Sequence, residues 1–141
     1  MHLDFDLVWG GYYAHKEIDS KEYYITRILD FNIDSFHTPL FNENFTTPPS
    51  PNIIDKLEPF VYHTPIDTKA LLLHTQEFIL IDRRALKPDD LEGYRYYLQD
   101  AGVPQKDIDE LINKLINFSK NEPPLPIRIY LKDNELQIEP R

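Results

Sequence analysis

The chain has 141 residues, of which 41% are hydrophobic and 28% charged. This length and composition predict one globular domain, residues 1–141, that buries about two thirds of its unfolded surface. With 24 acidic and 15 basic residues the net charge is −9, which repels the phosphate backbone of a nucleic acid. The chain has no cysteine, which excludes disulfides, thiolate metal sites and cysteine nucleophiles.

Glycine and serine placement excludes further classes of site. No pair of glycines has the spacing of a dinucleotide-binding fingerprint or a P-loop. No serine lies in the glycine-flanked turn of an α/β-hydrolase nucleophile. The first residues are acidic where a signal peptide is basic, and no apolar run approaches the roughly 18 residues of a membrane helix. We therefore expect a cytoplasmic protein with no cofactor, no membrane contact and no nucleic-acid partner.

Apolar residues alternate with other residues over residues 2–9, which predicts a first strand with one buried face. Residues 12–18 and 23–31 predict a hairpin, and its second strand should be central because both of its faces are apolar. Residues 42–51 predict a loop because prolines deny the backbone its donors. Residues 77–82 are also apolar on both faces and predict another central strand.

Helix signals dominate the middle of the chain. A serine-proline pair predicts a short helix from residue 50 to about residue 57, and Thr64-Pro65 predicts another that includes residues 70–73. A longer helix is expected over residues 88–101, stopped by Gly102, and a second opens at Pro104 to form a helical hairpin with it.

The last segment, residues 127–138, alternates around Asp133-Asn134 and predicts a terminal hairpin. Its one solvated face favours antiparallel pairing. The expected fold is therefore α+β, with a mainly antiparallel sheet of about six strands packed against a central helical hairpin and one or two short helices.

Residues 36–40 and 62–66 share the order aromatic, histidine, threonine, proline, aliphatic, and residues 74–75 add a third His-Thr pair. Two interpretations are open. If the side chains converge, a divalent metal would be held by imidazoles and one carboxylate, or two histidines would act as general acid and base. If they do not, threonine caps a helix and proline takes its first turn. We favour helix starts because a repeated cap requires no convergence in space. The candidate metal ligands are His37, His63, His74 and Asp67.

A dense basic cluster, Arg83, Arg84 and Lys87, lies between an expected strand and an expected helix start. Anions bind at such positions because amide donors and the helix dipole attract negative charge. Neighbouring aspartates favour a solvated salt-bridge cluster instead, which we consider the better interpretation.

Tyrosine is unusually abundant, with nine tyrosines and eight phenylalanines in the chain. Tyrosine combines an apolar ring with a polar tip, which suits protein interfaces. The candidate interaction surface comprises Arg95, Tyr96, Tyr12 and Tyr13. Alternatively, such tyrosines line the sheet as cross-strand pairs.

The sequence contains no specific catalytic signature. We therefore expect a non-enzymatic binding or inhibitory module, similar in role to an immunity or antitoxin protein, that recognises a basic surface on another protein. The alternatives are a small histidine-dependent hydrolase, with or without metal, and a homo-oligomeric accessory protein.

Overall fold

A computed structural model describes residues 2–141. The helices of this part of the chain are α1 (Thr68–His74), α2 (Glu92–Asp100) and α3 (Gln105–Asn121), with 3-10 helices at Pro51–Lys56 and Pro88–Leu91. The strands are β1 (His2–Leu7), β2 (Gly11–Glu17), β3 (Tyr23–Arg27), β4 (Asp30–Asn32), β5 (Ser35–Phe41), β6 (Asn44–Phe45), β7 (Pro59–Asp67), β8 (Thr75–Arg83), β9 (Leu125–Lys132) and β10 (Glu135–Pro140).

These strands form three sheets, ordered β1-β9-β10, β6-β3-β2-β8 and β4-β5-β7. Every pair is antiparallel, so the predicted mixture of helices with antiparallel strands is confirmed. The expected single set of about six strands is wrong. The chain divides its strands among three small sheets, and the pairs β1–β9, β2–β8 and β5–β7 join segments far apart in sequence.

An aromatic core joins the three sheets. The ring of Phe5 on β1 lies 4.9 Å from Phe78 on β8, 6.0 Å from Tyr13 on β2 and 6.1 Å from Phe36 on β5, measured between centroids. All four side chains are buried. Burial of such large rings supplies much of the hydrophobic stabilisation of a small domain, so this cluster holds the sheets together.

Both predicted hairpins are present, since β2 pairs with β3 and β9 pairs with β10. Asp133 and Asn134 have positive φ angles of 52° and 66°, as the tight turn between two strands requires. The strand predicted over residues 77–82 is wrong in one respect, because β8 lies at the edge of its sheet. Phe78 of β8 enters the core, whereas Ile79 and Leu80 remain partly exposed. Apolar residues on both faces therefore do not make this strand central.

The predicted helix over residues 88–101 begins as a 3-10 turn at Pro88–Leu91 and continues as α2. Gly102 follows with φ +83°, the left-handed conformation expected at a helix stop. The buried apolar residues of the next helix, α3, belong to the same hydrophobic cluster as Tyr94 and Leu98 of α2. No helix formed by residues 2–141 is both long enough and apolar enough to cross a membrane.

Helix α1 contains residues 70–73, as predicted, but Thr64-Pro65 does not start it. That pair lies inside β7, and the helix begins three residues later. The side chain of Asp67 caps α1 by accepting a hydrogen bond from the amide of Ala70 at 2.8 Å, which satisfies a free donor of the first turn. The expected loop over residues 42–51 includes the two-residue strand β6.

Two left-handed glycines allow a matched stability test. A Cβ on Gly10, which has φ +78°, would overlap the carbonyl oxygen of Arg84, whereas a Cβ on Gly102 would meet no atom within 4 Å. We expect Gly102→Ala to cost about 1 kcal/mol of unfolding free energy from backbone strain alone, and Gly10→Ala to cost roughly 3 kcal/mol or more because a backbone atom must also move. Urea unfolding measures both values. Equal losses would contradict the packing around Gly10.

Candidate functional site

The two copies of the aromatic-His-Thr-Pro-aliphatic motif pair with each other. On β5 and β7, Thr38 lies opposite Thr64 and His37 opposite Pro65. His63 precedes Pro65 by two residues, so it is the diagonal neighbour of His37 across the antiparallel pair. Diagonal neighbours share a face of the sheet and lie within reach of large side chains. The strand register therefore brings the two imidazoles together.

The prolines and threonines of the motif suit strands here, not helix starts. Pro65 is on β7, the edge strand of its sheet, and Pro39 lies at the register shift between Thr38 and Leu40. Edges and bulges are the strand positions that tolerate proline. The hydroxyl of Thr38 donates to the carbonyl oxygen of Pro39 at 2.6 Å and caps no helix. The helix-start interpretation of the motif is wrong.

Asn32, His37 and His63 form a one-way chain of hydrogen bonds. The amide nitrogen of Asn32 donates to Nε2 of His37 at 3.3 Å, so this nitrogen carries no proton. His37 is therefore protonated at Nδ1, which donates to Nε2 of His63 at 2.8 Å. His63 in turn keeps its proton on Nδ1. Each neutral imidazole thus has a defined tautomer.

Burial holds both imidazoles in the neutral form. His37 is only 2% exposed, and desolvation lowers its pKa although the nearby carboxylate of Asp30 acts in the opposite direction. Desolvation is also the main cause that lowers the pKa of His63 to about 4, and the adjacent His37 lowers it further. At neutral pH the pair is uncharged, because removal from water penalises the imidazolium.

Two tyrosines of α2 complete an imidazole–phenol cluster of His37, His63, Tyr94 and Tyr97. The ring of Tyr94 lies 4.5 Å from that of His37, and the ring of Tyr97 lies 4.6 Å from that of His63, between centroids. The buried hydroxyl of Tyr94 donates to the carboxylate of Asp30 at 2.7 Å. Burial, and then that carboxylate, raise the pKa of Tyr94. The cluster ties α2 to β4, β5 and β7.

Helix α2 reaches β7 closely because Gly93 has no side chain. A Cβ at this position would lie 2.9 Å from Cβ of Tyr62 and 3.1 Å from Cβ of His63, tighter than ordinary van der Waals contact. The glycine therefore permits the close contact that seats the cluster.

The four candidate metal ligands do not meet. His37 and His63 are in contact, whereas His74 is exposed at the end of α1 and Asp67 caps the start of that helix. Among residues 2–141 no group of three or more histidine, aspartate or glutamate residues is placed to hold a metal ion. The positions of His74 and Asp67 therefore do not support the alternative interpretation, in which all four residues hold one metal ion.

The predicted basic cluster divides in two. Arg83 donates to the carbonyl oxygen of Phe118 at 2.6 Å. Arg84 pairs with Asp55 at 2.6 Å and with Asp82 at 3.4 Å, and the exposed Lys87 lines a cavity of about 300 Å³ beside it. Because acids accompany Arg84, this region has the arrangement of a salt-bridge cluster, and anion binding there stays a prediction.

The predicted tyrosine surface also divides. Tyr13 is 0% exposed, and its hydroxyl donates to the carbonyl oxygen of Asp6 and accepts from the amide of Val8. Tyr12 is buried beneath the guanidinium of Arg27, 4.6 Å from its ring centroid. These two line the sheet, so their assignment to the exterior is wrong.

Of the other two residues predicted for that surface, Arg95 pairs with Asp109 at 2.7 Å, and Tyr96 is 57% exposed. Tyr96 therefore lies on the surface as expected, whereas the guanidinium of Arg95 already has a partner within the chain.

Sequence reasoning missed a cleft beside Tyr96. This tyrosine cleft has a volume of about 380 Å³ and is lined by Tyr62, Asp89, Glu92, Gly93 and Tyr96. Tyr62 is 64% exposed, and no salt bridge within residues 2–141 includes Asp89 or Glu92. Tyr62, the tyrosine of the second His-Thr-Pro segment, is a sequence signal for this site that the helix-start interpretation does not use.

No family model, no curated protein and no solved structure matches this chain. The geometry of the cluster and of the cleft therefore carries the functional argument.

The imidazole pair predicts a pH dependence of stability. Unfolded histidine binds a proton below a pH of about 6.5, whereas the lowered pKa keeps folded His63 neutral until about pH 4. The unfolded state thus binds more protons between these pH values, and the free energy of unfolding is lost progressively as the pH falls from 6.5 to 4. We expect His63→Gln to remove roughly 1–3 kcal/mol of this loss. The measurement is urea unfolding at several pH values from 6.5 to 4.

The control is His74→Gln, because His74 is exposed and outside the cluster. It should keep the wild-type slope of unfolding free energy against pH, while His63→Gln flattens it. Identical slopes for the wild type and His63→Gln would show that the pair does not couple protonation to folding.

The bond from Tyr94 to Asp30 predicts a second stability difference. Tyr94→Phe leaves a buried carboxylate without its phenol donor, and hydrogen bonds to charged groups are worth about 1.5–3 kcal/mol. Tyr96→Phe, on the exposed side of the same helix, should change stability by less than about 0.5 kcal/mol. Thermal or chemical unfolding compares them, and equal effects would argue against a structural role for the Tyr94 hydroxyl.

Proposed function

We propose that the protein is a non-enzymatic binding module that covers a basic surface on another protein, in the manner of an immunity or antitoxin protein. The observation that carries this proposal is the tyrosine cleft, where two exposed phenol rings lie beside two carboxylates that have no cation of their own. Charge of the opposite sign on a partner would speed the encounter and select that partner.

The number of exposed aromatic rings supports the presence of a contact surface. Tyr62 and Phe60 on β7 are exposed, and so are Tyr96 and Tyr97 on α2. Tyrosine contributes large, rigid contact area and is enriched among residues that dominate binding energy. Four exposed aromatic residues on two neighbouring elements are more than scattered surface apolar residues require.

The imidazole–phenol cluster acts in this proposal as a rigid support. Ring contacts join α2 to β7, and hydrogen bonds join α2 to β4 and β5 to β7, so the surface above the cluster is held in one conformation before a partner arrives. A pre-formed surface loses less conformational entropy on binding.

We expect Tyr96→Ala to weaken partner binding at least about tenfold, because central tyrosines commonly carry more than 1 kcal/mol of binding free energy. Glu92→Gln should slow association and reduce the salt dependence of the rate. The wild-type chain, immobilised without a tag that contains histidine, captures the partner from source lysate at low salt. The purified partner is then titrated against each variant by calorimetry and surface plasmon resonance.

Tyr24→Ala is the matched control, since Tyr24 is an exposed tyrosine on β3 that does not line the cleft. It should bind the partner like the wild type. Equal affinity of the partner for all three variants would contradict this surface. The absence of any captured partner at low salt would contradict a binding function.

Two alternatives give different results. A histidine-dependent hydrolase is supported by the contact between His37 and His63. It predicts that His63→Gln abolishes hydrolysis of ester or phosphoester substrates while binding of the partner persists. A homo-oligomeric accessory protein predicts a sedimentation coefficient above that of the 16.7 kDa monomer.

A further inference from the structure

We propose that the tyrosine cleft receives an arginine side chain of the partner. This inference rests on the proposed binding function and names the chemistry of its central contact. Arginine is singled out by two features of the cleft: its aromatic walls and its two carboxylates, which form no salt bridge within residues 2–141.

The walls suit a planar cation. The exposed rings of Tyr62 and Tyr96 line the cavity, and Gly93 contributes backbone but no side chain between them. A guanidinium stacks on a tyrosine face through its π system and through attraction to the ring quadrupole. A volume of about 380 Å³ accommodates the guanidinium with its aliphatic stem.

The carboxylates supply hydrogen-bond acceptors at the same place. Oε1 of Glu92 accepts from the hydroxyl of Tyr96 at 3.2 Å, which directs the carboxylate to the edge of the ring. Asp89 lines the cavity as well. Paired acceptors match the fork of arginine donors, whereas the lysine ammonium is a compact, strongly hydrated point charge that stacks less well.

The cations that lie near the cleft residues in sequence pair with other acids or line other cavities. Arg95 pairs with Asp109 at 2.7 Å. Lys87 lines a different cavity, together with Arg84. Arg27 lines a neighbouring cavity with Asp89 but pairs with Asp90 at 3.2 Å. Asp89 and Glu92 therefore form no salt bridge within residues 2–141, and their carboxylates favour a cation over an anionic ligand.

The test is a titration of the ¹⁵N-labelled full chain with a small arginine probe, in which ¹H–¹⁵N NMR spectra are recorded at each step. The probe is N-acetyl-arginine-methylamide. Its neutral isostere N-acetyl-citrulline-methylamide is the control for shape, and N-acetyl-lysine-methylamide is the control for charge. We expect the arginine probe to shift the amides of Gly93, Tyr62 and Tyr96 with a Kd on the order of millimolar, the weak range for one isolated side chain. Citrulline should bind at least about fivefold more weakly because it lacks the charge, and lysine should fall between them.

Variants locate the binding. Glu92→Gln should weaken the arginine response at least about threefold, in line with the loss of a charged hydrogen bond, and Tyr96→Ala should weaken it similarly. Glu135→Gln, an exposed glutamate on β10, should leave it unchanged. The dispersed spectra of the variants themselves report that each is folded.

The arginine inference is overturned if arginine and citrulline give equal shifts, or if no shift appears up to about 50 mM probe, well above millimolar affinities. Failure of the proposed function is a separate result. If Tyr96→Ala abolishes capture of the partner while the arginine probe has no effect, the surface binds by other chemistry. If the probe binds but no partner is captured, the cleft retains its chemistry and the binding function fails.

Discussion

The antiparallel pairing of β5 with β7, with Thr38 opposite Thr64, is the constraint on which the rest of the site depends. Side chains alternate between faces along a strand, so a slip of one residue would send one imidazole to the opposite face. The observed register places His63 diagonally across from His37 and lets the two share a proton donor and acceptor at 2.8 Å. A short sequence repeat thereby becomes a contact pair, because each copy is the partner strand of the other.

Helix α2 packs over this histidine pair and presents an exposed surface on its opposite face. Gly93 lets the helix approach β7, and the period of the helix sends Tyr94 and Leu98 inward while Tyr96 points outward. The inward tyrosine is secured by Asp30 at 2.7 Å. The outward tyrosine therefore occupies a position defined by the buried cluster. If the protein binds a partner as proposed, the inward face of α2 would serve as support and its outward face as the recognition surface.

Local signals predicted local structure well. The turn at Asp133 and Asn134 and the stop at Gly102 follow from backbone conformations that few residues adopt. The helix-start prediction for the Thr-Pro pairs is wrong because a proline with threonine before it suits a helix start and also an edge strand or a bulge. Only the pairing partner decides between these, and that partner lies 26 residues away. The candidate site depends on this long-range register and on a glycine contact, so its histidines could be named from the sequence but their arrangement could not.

The cleft combines exposed aromatic rings with two carboxylates, Asp89 and Glu92, that form no salt bridge within residues 2–141. Some neighbouring carboxylates are paired, as Asp90 is with the buried Arg27 at 3.2 Å and Asp109 with Arg95 at 2.7 Å. Such pairs add little to stability at the surface, but they neutralise the local field. At the cleft Asp89 and Glu92 have no such partner, and they lie beside exposed rings from which a bound partner would displace water. If the protein binds a basic partner as proposed, its net charge would govern the rate of association. The carboxylates and rings of the cleft would then govern the rate of dissociation, because close, desolvated charge pairs act mainly on that rate.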